Sequence, residues 1–338
     1  VRLLAAPDKF RGTLDATAAA SAIALAARHA GWDATERPVS DGGEGFAAVL
    51  GGEQVTCTVS GPLGKPVHAS FNLRDGGKVA VIEMAAAAGR ALLPSPTGDQ
   101  PLEATTQGVG ELIVVAARTG ARQVIVGCGG SATTDGGRGA VDAITRSGID
   151  LAAFDLIVAT DVTTHFVDAA RVFAPQKGAS DEQVARLTTR LERCRIDYLE
   201  EHGVDVGLLE RAGAAGGLAG GLAALGGSLV SGFDVVAAAG DLAAEARSAQ
   251  LVVTGEGSLD ATSLEGKAVA GVLALVPPTT PVLVVAGVVE PGVAAKMADR
   301  LERPISVRSL VEYVGEDRSV HDTAAALREV VANFVAPS

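Results

Sequence analysis

The residues best suited to chemistry sit in short, glycine-bearing clusters. The strongest reads Gly-Cys-Gly-Gly-Ser-Ala-Thr-Thr-Asp-Gly-Gly from Gly127 to Gly137. Glycines let a backbone fold around phosphate oxygens, so that successive N–H groups face the anion. Here Gly129, Gly130, Ser131 and Thr133 are the candidate phosphate binders, and Asp135 is a candidate to hold Mg2+ or to orient a hydroxyl. A tight turn with structural glycines is the alternative. The same loop fits G-x-G-x-x-A, a dinucleotide fingerprint, which would make the chain an NAD(P)-dependent oxidoreductase acting on a small hydroxy acid. That fingerprint expects an acid about 20 residues on, at the end of the next strand. Asp150 lies near that distance but precedes the next apolar run, so the oxidoreductase is the poorer reading.

Other clusters carry charge. Asp8-Lys9-Phe10-Arg11-Gly12 groups an acid with two bases. Phosphoryl transfer is mainly positioning and charge stabilisation, so it needs cations on phosphate oxygens and an acid near the attacking hydroxyl. Asp41-Gly-Gly-Glu44 offers carboxylates to Mg2+ or to substrate hydroxyls, and Asp41 reads equally as a helix cap. Thr254-Gly-Glu256-Gly-Ser258-Leu-Asp260 leads to Gly266-Lys267 at an expected helix start. Lys267 and Lys177 are candidate phosphate contacts, although a lone Gly-Lys is usually a surface turn. Walker A, G-x-S-x-G, H-R-D and H-E-x-x-H patterns are missing from the sequence.

These clusters need elements to position them. Leu3 to Ala6, Val124 to Val126, Leu156 to Ala159, Leu251 to Val253 and Val282 to Ala286 are short apolar runs without alternation. They read as strands buried on both faces of a parallel sheet. The first four are followed by charged residues or glycines, Asp161 among them, and ligands of open parallel sheets bind outside the carboxyl ends of strands. Because the runs at Leu3 and Leu251 both end in such loops, the two chain ends are expected to share one sheet. A helix is expected after Thr13, with Leu14, Ala18, Ala22, Leu25 and His29 on one face and a stop at Gly31. Another runs from Gly266 to Pro277. Val67 to Leu73 alternates, and Asp75-Gly76-Gly77 separates it from Val79 to Ile82, an antiparallel hairpin. The expected organisation is one α/β domain from residues 1–60 and 250–338, with a second α/β domain, 61–249, inserted.

Composition narrows the function classes. Hydrophobic residues are 48% and charged residues only 20%, which argues for folded structure throughout. A formal net charge of −12 opposes broad nucleic-acid binding, which depends on Lys and Arg, but allows a small anionic ligand at a local cationic cluster. Three scattered cysteines and five histidines without H-x-x-x-H spacing imply neither a disulfide framework nor a zinc site. The apolar run at the N-terminus is too short for a signal peptide, and no membrane span is expected, so a cytoplasmic location is the expectation.

Taken together, the clusters resemble the type I glycerate kinases. The matching segments begin at Ala6 (Ala-Pro-Asp-Lys-Phe-Arg-Gly-Thr), Ser40 (Ser-Asp-Gly-Gly-Glu-Gly), Ser60 (Ser-Gly-Pro-Leu-Gly), Val81 (Val-Ile-Glu-Met-Ala) and Thr105 (Thr-Thr-Gln-Gly-Val-Gly-Glu-Leu). They continue through the Gly127 loop, Phe173 (Phe-Ala-Pro-Gln-Lys-Gly-Ala), Gly213 (Gly-Ala-Ala-Gly-Gly-Leu) and Thr254. They fall in family order over nearly the whole chain. The resemblance implies a Rossmann-like parallel-sheet domain with an inserted α/β domain and an active site in the cleft between them. It implies transfer of the ATP γ-phosphate to D-glycerate with Mg2+, usually onto the 2-hydroxyl. Asp8, Asp41, Asp135, Lys9 and Arg11 are then the candidate catalytic residues, with Lys9, Arg11, Asp41 and Glu44 on the substrate. Gly129, Gly130, Ser131, Thr133, Lys177, Glu256, Asp260 and Lys267 fall to ATP, and Asp135 and Asp161 to the metal. Two departures stand out. Thr134 occupies a position that is usually Asn, and the stretch from about Val141 to Asp168 is shortened, with Asp161-Val162 followed by Thr163-Thr164-His165-Phe166. The shortening motivates one other reading, a weakened paralogue that only binds a hydroxy acid.

Overall fold

The structure is a computed structural model of the chain and describes residues 1–10, 12–93, 98–260, 263, 268–301 and 305–336. Strands among the described residues are β1 (Arg2–Ala5), β2 (Asp33–Glu36), β3 (Glu53–Ser60), β4 (Pro66–Arg74), β5 (Val79–Glu83), β6 (Gln123–Gly127), β7 (Asp155–Ala159), β8 (Ser228–Val230), β9 (Leu251–Leu259), β10 (Val282–Val289) and β11 (Ile305–Ser309). The helices that matter most here are α1 (Ala16–His29), α2 (Gln107–Arg118), α3 (Arg138–Ser147) and α4 (Asp181–His202). The chain divides into two compact units, Val1–Asp41 with Phe233–Ser338, and Gly42–Gly232.

The first unit holds a parallel sheet in the order β11-β10-β9-β1-β2. The two chain ends meet in it through β1 and β9, with Leu3 opposite Leu251. Asp15 starts α1 by accepting a hydrogen bond from Ala18 N at 2.8 Å. The face that α1 buries matches the expected one only in part, through Leu14 and Ala22. Ala19, Ala20, Ile23 and Ala27 pack with Leu3, Val253, Leu327 and Val331, while Leu25 is 41% exposed and His29 faces solvent. Alanine occurs on every side of this helix, so apolar spacing does not single out one face, and small alanines allow close packing on the sheet.

The second unit holds a mixed sheet in the order β3-β4-β5-β6-β7-β8. The expected hairpin is β4–β5, and β5 to β8 run parallel. A strand that the sequence reading passed over, β3, pairs antiparallel with β4 from Glu53↔Leu73 to Ser60↔Pro66. That ladder joins residues 53–60 to the second unit, which runs from Gly42, whereas the sequence reading drew the boundary at residue 61. At the other end, residues 233–249 belong with the first unit. There Arg37 donates to the Gly240 carbonyl and to Glu245, which also pairs with Arg2.

The second unit's core joins Phe71, Ile82, Leu112, Val126, Val158 and Leu222. A further cluster forms where Leu187, Leu191, Cys194 and Tyr198 of α4 meet Val141 and Phe166. The shortened stretch is a brief connection. Gly148, with φ 67°, ends α3, and a single 3-10 turn, Leu151–Ala153, leads into β7. Among the described residues no helix is long and apolar enough to cross a membrane.

Candidate active site

In the first unit, pairing continues past the strand ends and fixes the acidic cluster. Asp8 N donates to the Gly255 carbonyl at 2.8 Å, and Val39 N donates to the Pro7 carbonyl at 2.9 Å. This places Asp8 on one strand extension, with Ser40 and Asp41 at the end of its neighbour. The Lys9 ammonium lies 3.6 Å from Asp41 Oδ1 and 4.0 Å from Asp8 Oδ1, so one cation bridges two carboxylates. Asp8 is buried, and its Oδ1 also accepts from Lys9 N at 2.7 Å. Asp41 is not a helix cap: the short helix Phe46–Leu50 begins at Gly45 and has no side-chain cap. Ser40, passed over in the sequence, is buried, and its Oγ has no hydrogen-bond partner among the described residues. Glu256 lies within β9 opposite Ala286, half-buried. Asp260 Oδ1 accepts from Ser263 N at 3.1 Å, and Ser263 Oγ accepts from Asp260 N at 3.1 Å, which closes a local turn. Arg11 and Lys267 lie outside the described residues.

In the second unit, the Gly127–Gly137 loop leaves the carboxyl end of β6 and is held from several sides. Cys128 N donates to the Ala159 carbonyl, Arg90 N to the Gly130 carbonyl, and Ala132 N to the Ala88 carbonyl, at 2.8–3.0 Å. The N–H groups of Gly129, Gly130 and Ser131 donate to no acceptor among the described residues, and all three residues keep solvent exposure. Behind them, a Cβ on Gly129 would lie 2.3 Å from Gly43 Cα, and one on Gly42 would lie 2.8 Å from the Ala159 carbonyl oxygen. The two glycine motifs therefore pack backbone against backbone, which requires glycine. Glu44, in the same motif, is exposed.

Asp135 is held by hydrogen bonds on both oxygens. Its Oδ2 accepts from Thr106 N at 2.8 Å, Thr106 Oγ1 at 2.9 Å and Gly139 N at 3.3 Å, while Oδ1 accepts from Gly137 N at 3.1 Å. One buried carboxylate thus caps the N-termini of both α2 and α3, where helix dipoles favour negative charge. Three of the four donors face Oδ2 and one faces Oδ1. Asp161 Oδ1 accepts from Gly232 N at 3.0 Å and lies 4.0 Å from Arg211. Among the described residues no group of three or more His, Cys, Asp or Glu could hold a metal. Asp135→Asn replaces an acceptor with an amide amid N–H donors and should destabilise the fold by about 1–3 kcal/mol. Denaturant midpoints against wild type measure this; an unchanged midpoint would contradict the capping account.

Lys177, a candidate phosphate contact, is buried. It is 6% exposed, and its ammonium donates to the Thr133 carbonyl at 2.5 Å. Burial pulls its pKa down to about 7, partly offset by Asp135. Tyr198 and Cys194 of α4 brace the same loop, with Tyr198 OH donating to the Gly136 carbonyl at 2.9 Å. The sequence reading missed both. Their spacing with Leu187 and Leu191 was the available signal, an apolar face of an otherwise polar helix. Asp150 accepts from Ala152 N within its own 3-10 turn, which gives the dinucleotide reading no acid.

Comparison with known proteins decides the class. A model of the glycerate kinase family matches residues 3–152 and, in a second overlapping match, residues 141–336. The chain belongs to the glycerate kinase family. As a member it is an ATP-dependent phosphotransferase. It is 38% identical over 310 residues to the Escherichia coli glycerate 2-kinase, covering 80% of this chain and 81% of the relative. An uncharacterized protein of Mycobacterium bovis is 39% identical over 358 residues, covering 99% and 91%. A crystal structure from Salmonella typhimurium LT2, assigned as glycerate kinase 2, superposes with a TM-score of 0.80 at 31% identity, covering 99% and 97%. The alignment to the M. bovis protein is longer than this 338-residue chain, so at least 20 positions, the excess of 358 over 338, have no residue here. The overlap of the two family matches at 141–152 falls within the stretch read as shortened.

Proposed function

We propose that this glycerate kinase family member transfers the γ-phosphate of ATP to the 2-hydroxyl of D-glycerate, giving 2-phosphoglycerate. The observation that supports this most is the run of N–H groups at Gly129, Gly130 and Ser131 with no acceptor among the described residues, donors available to phosphate oxygens in a loop otherwise pinned in place. The relative named glycerate 2-kinase supports the 2-position. In the reaction the glycerate hydroxyl oxygen attacks the γ-phosphorus, the bridging P–O bond breaks towards ADP, and the hydroxyl proton passes to a carboxylate. We assign that carboxylate to Asp41, with Lys9 orienting it and Asp8 balancing the Lys9 charge. Arg11 and Glu44 are assigned to the substrate, and Glu256 and Lys267 to the nucleotide. Asp260 is given no ligand, since its turn occupies it. Mg2+ would come with the nucleotide phosphates, where one or two protein carboxylates suffice, and Asp161 is the candidate.

The test is ADP release from ATP with and without D-glycerate. Glycerate-dependent ADP is the expected result. Thermal stabilisation by D-glycerate without ADP would instead establish the binding-only paralogue that the shortened segment motivates.

A further inference from the structure

We propose that Lys177 is a positioning residue that fixes the phosphate loop from its buried side, through the Thr133 carbonyl, and never touches the nucleotide. This rests on the loop's phosphate-binding reading given above. The backbone carrying Lys177 is itself fixed: Pro175 opens a 3-10 turn, Lys177 N donates to the Ala174 carbonyl, and Gly178 closes the turn at φ 90°. The side chain runs inward, where an ammonium is costly unless paired. Met would fill such a site without that cost, so the lysine is best explained by what it donates. Its acceptor among the described residues, the Thr133 carbonyl, belongs to a fully buried residue and receives no backbone N–H from them. From another side Gly216 closes on the same atom, since a Cβ there would lie 2.0 Å from it. Without the Lys177 donor, a buried carbonyl would be orphaned two residues after Ser131. The loop would then relax, and the donors at Gly129, Gly130 and Ser131 would move with it.

The charged group acting on Lys177 is Asp135. Cys194 and Tyr198, which approach Asp135 from α4, have their pKa values pushed up by burial, the thiol to about 11, and stay neutral near pH 8. Lys177 falls from its usual 10.5 to about 7 on folding, so between those values the unfolded chain holds a proton that the folded chain lacks. Stability contributed at this site therefore rises as pH increases across that window.

Lys177→Met tests the proposal. Leaving the buried Thr133 carbonyl without its donor corresponds to roughly ten- to a hundredfold in affinity. The dissociation constant for a non-hydrolysable ATP analogue should rise by about that factor, while KM for D-glycerate holds. In the ligand-free protein, amide hydrogen exchange across residues 129–136 should quicken, and the rise of stability with pH should flatten. Unchanged exchange in the ligand-free loop would overturn the proposal, because a direct phosphate contact has no reason to alter the empty loop. Unchanged analogue affinity would overturn it too. If Lys177→Met does not fold, Lys177→Gln gives the same readouts. Gly129→Ala separates the two layers. If it leaves analogue affinity intact, the phosphate-loop reading fails; if it weakens affinity while Lys177→Met does not, only the positioning proposal fails.

Discussion

Asp41→Asn should fold like the parent and lose about 10²–10⁴ in kcat, the usual cost of removing a general base. The substitution keeps shape and volume. The Asp41 side chain is 33% exposed and lies 3.6 Å from Lys9, whose ammonium is also 4.0 Å from Asp8. Losing it leaves Lys9 still paired, and a partly exposed ion pair contributes only about 0–1 kcal/mol. The large kinetic effect and the small stability effect are thus separable. Stopped or steady-state turnover with a parallel melting curve reads both. Near-normal kcat with a lowered melting temperature would make Asp41 structural.

Gly129→Ala should raise KM for ATP by roughly 10²-fold, the scale of a 1 Å displacement of a positioned group. The added methyl meets Gly43 Cα at 2.3 Å, a backbone atom that cannot swing aside as a side chain would. Either the loop or the Gly42–Gly43 segment must shift, at a cost of about 1–3 kcal/mol. Gly148→Ala is the comparison. Its Cβ meets nothing within 4 Å, and the penalty is only the left-handed backbone at φ 67°, about 1 kcal/mol. Equal effects on KM from the two substitutions would show that loop packing does not govern ATP binding.

Much of this arrangement was legible in the sequence because it rests on local signals. Uninterrupted apolar runs marked β1, β6, β7, β9 and β10, and the glycine motifs marked the loops that follow them. What failed was whatever depends on partners distant in sequence. Val55, Cys57 and Val59 alternate in β3, but only pairing with β4 shows which unit owns them. Asp135 read as an acid that could hold Mg2+ or orient a hydroxyl; its bond with Thr106, 29 residues away, is not visible locally. Lys177, in Pro175-Gln176-Lys177-Gly178, read as either a phosphate contact or a surface turn; its burial and its bond to the Thr133 carbonyl, 44 residues away, are not visible locally. The α1 face was legible only in part for a different reason, since alanines on all sides leave no periodic contrast.

The most direct measurement of the central claim is a proton-coupled phosphorus spectrum of the product made from ATP and D-glycerate. Transfer to the 2-hydroxyl puts the phosphate on a carbon bearing one hydrogen, so the product signal should be a doublet. A triplet would place the phosphate on the 3-hydroxyl and contradict the proposed product. No new phosphomonoester signal at all, with ATP intact, would contradict the kinase itself.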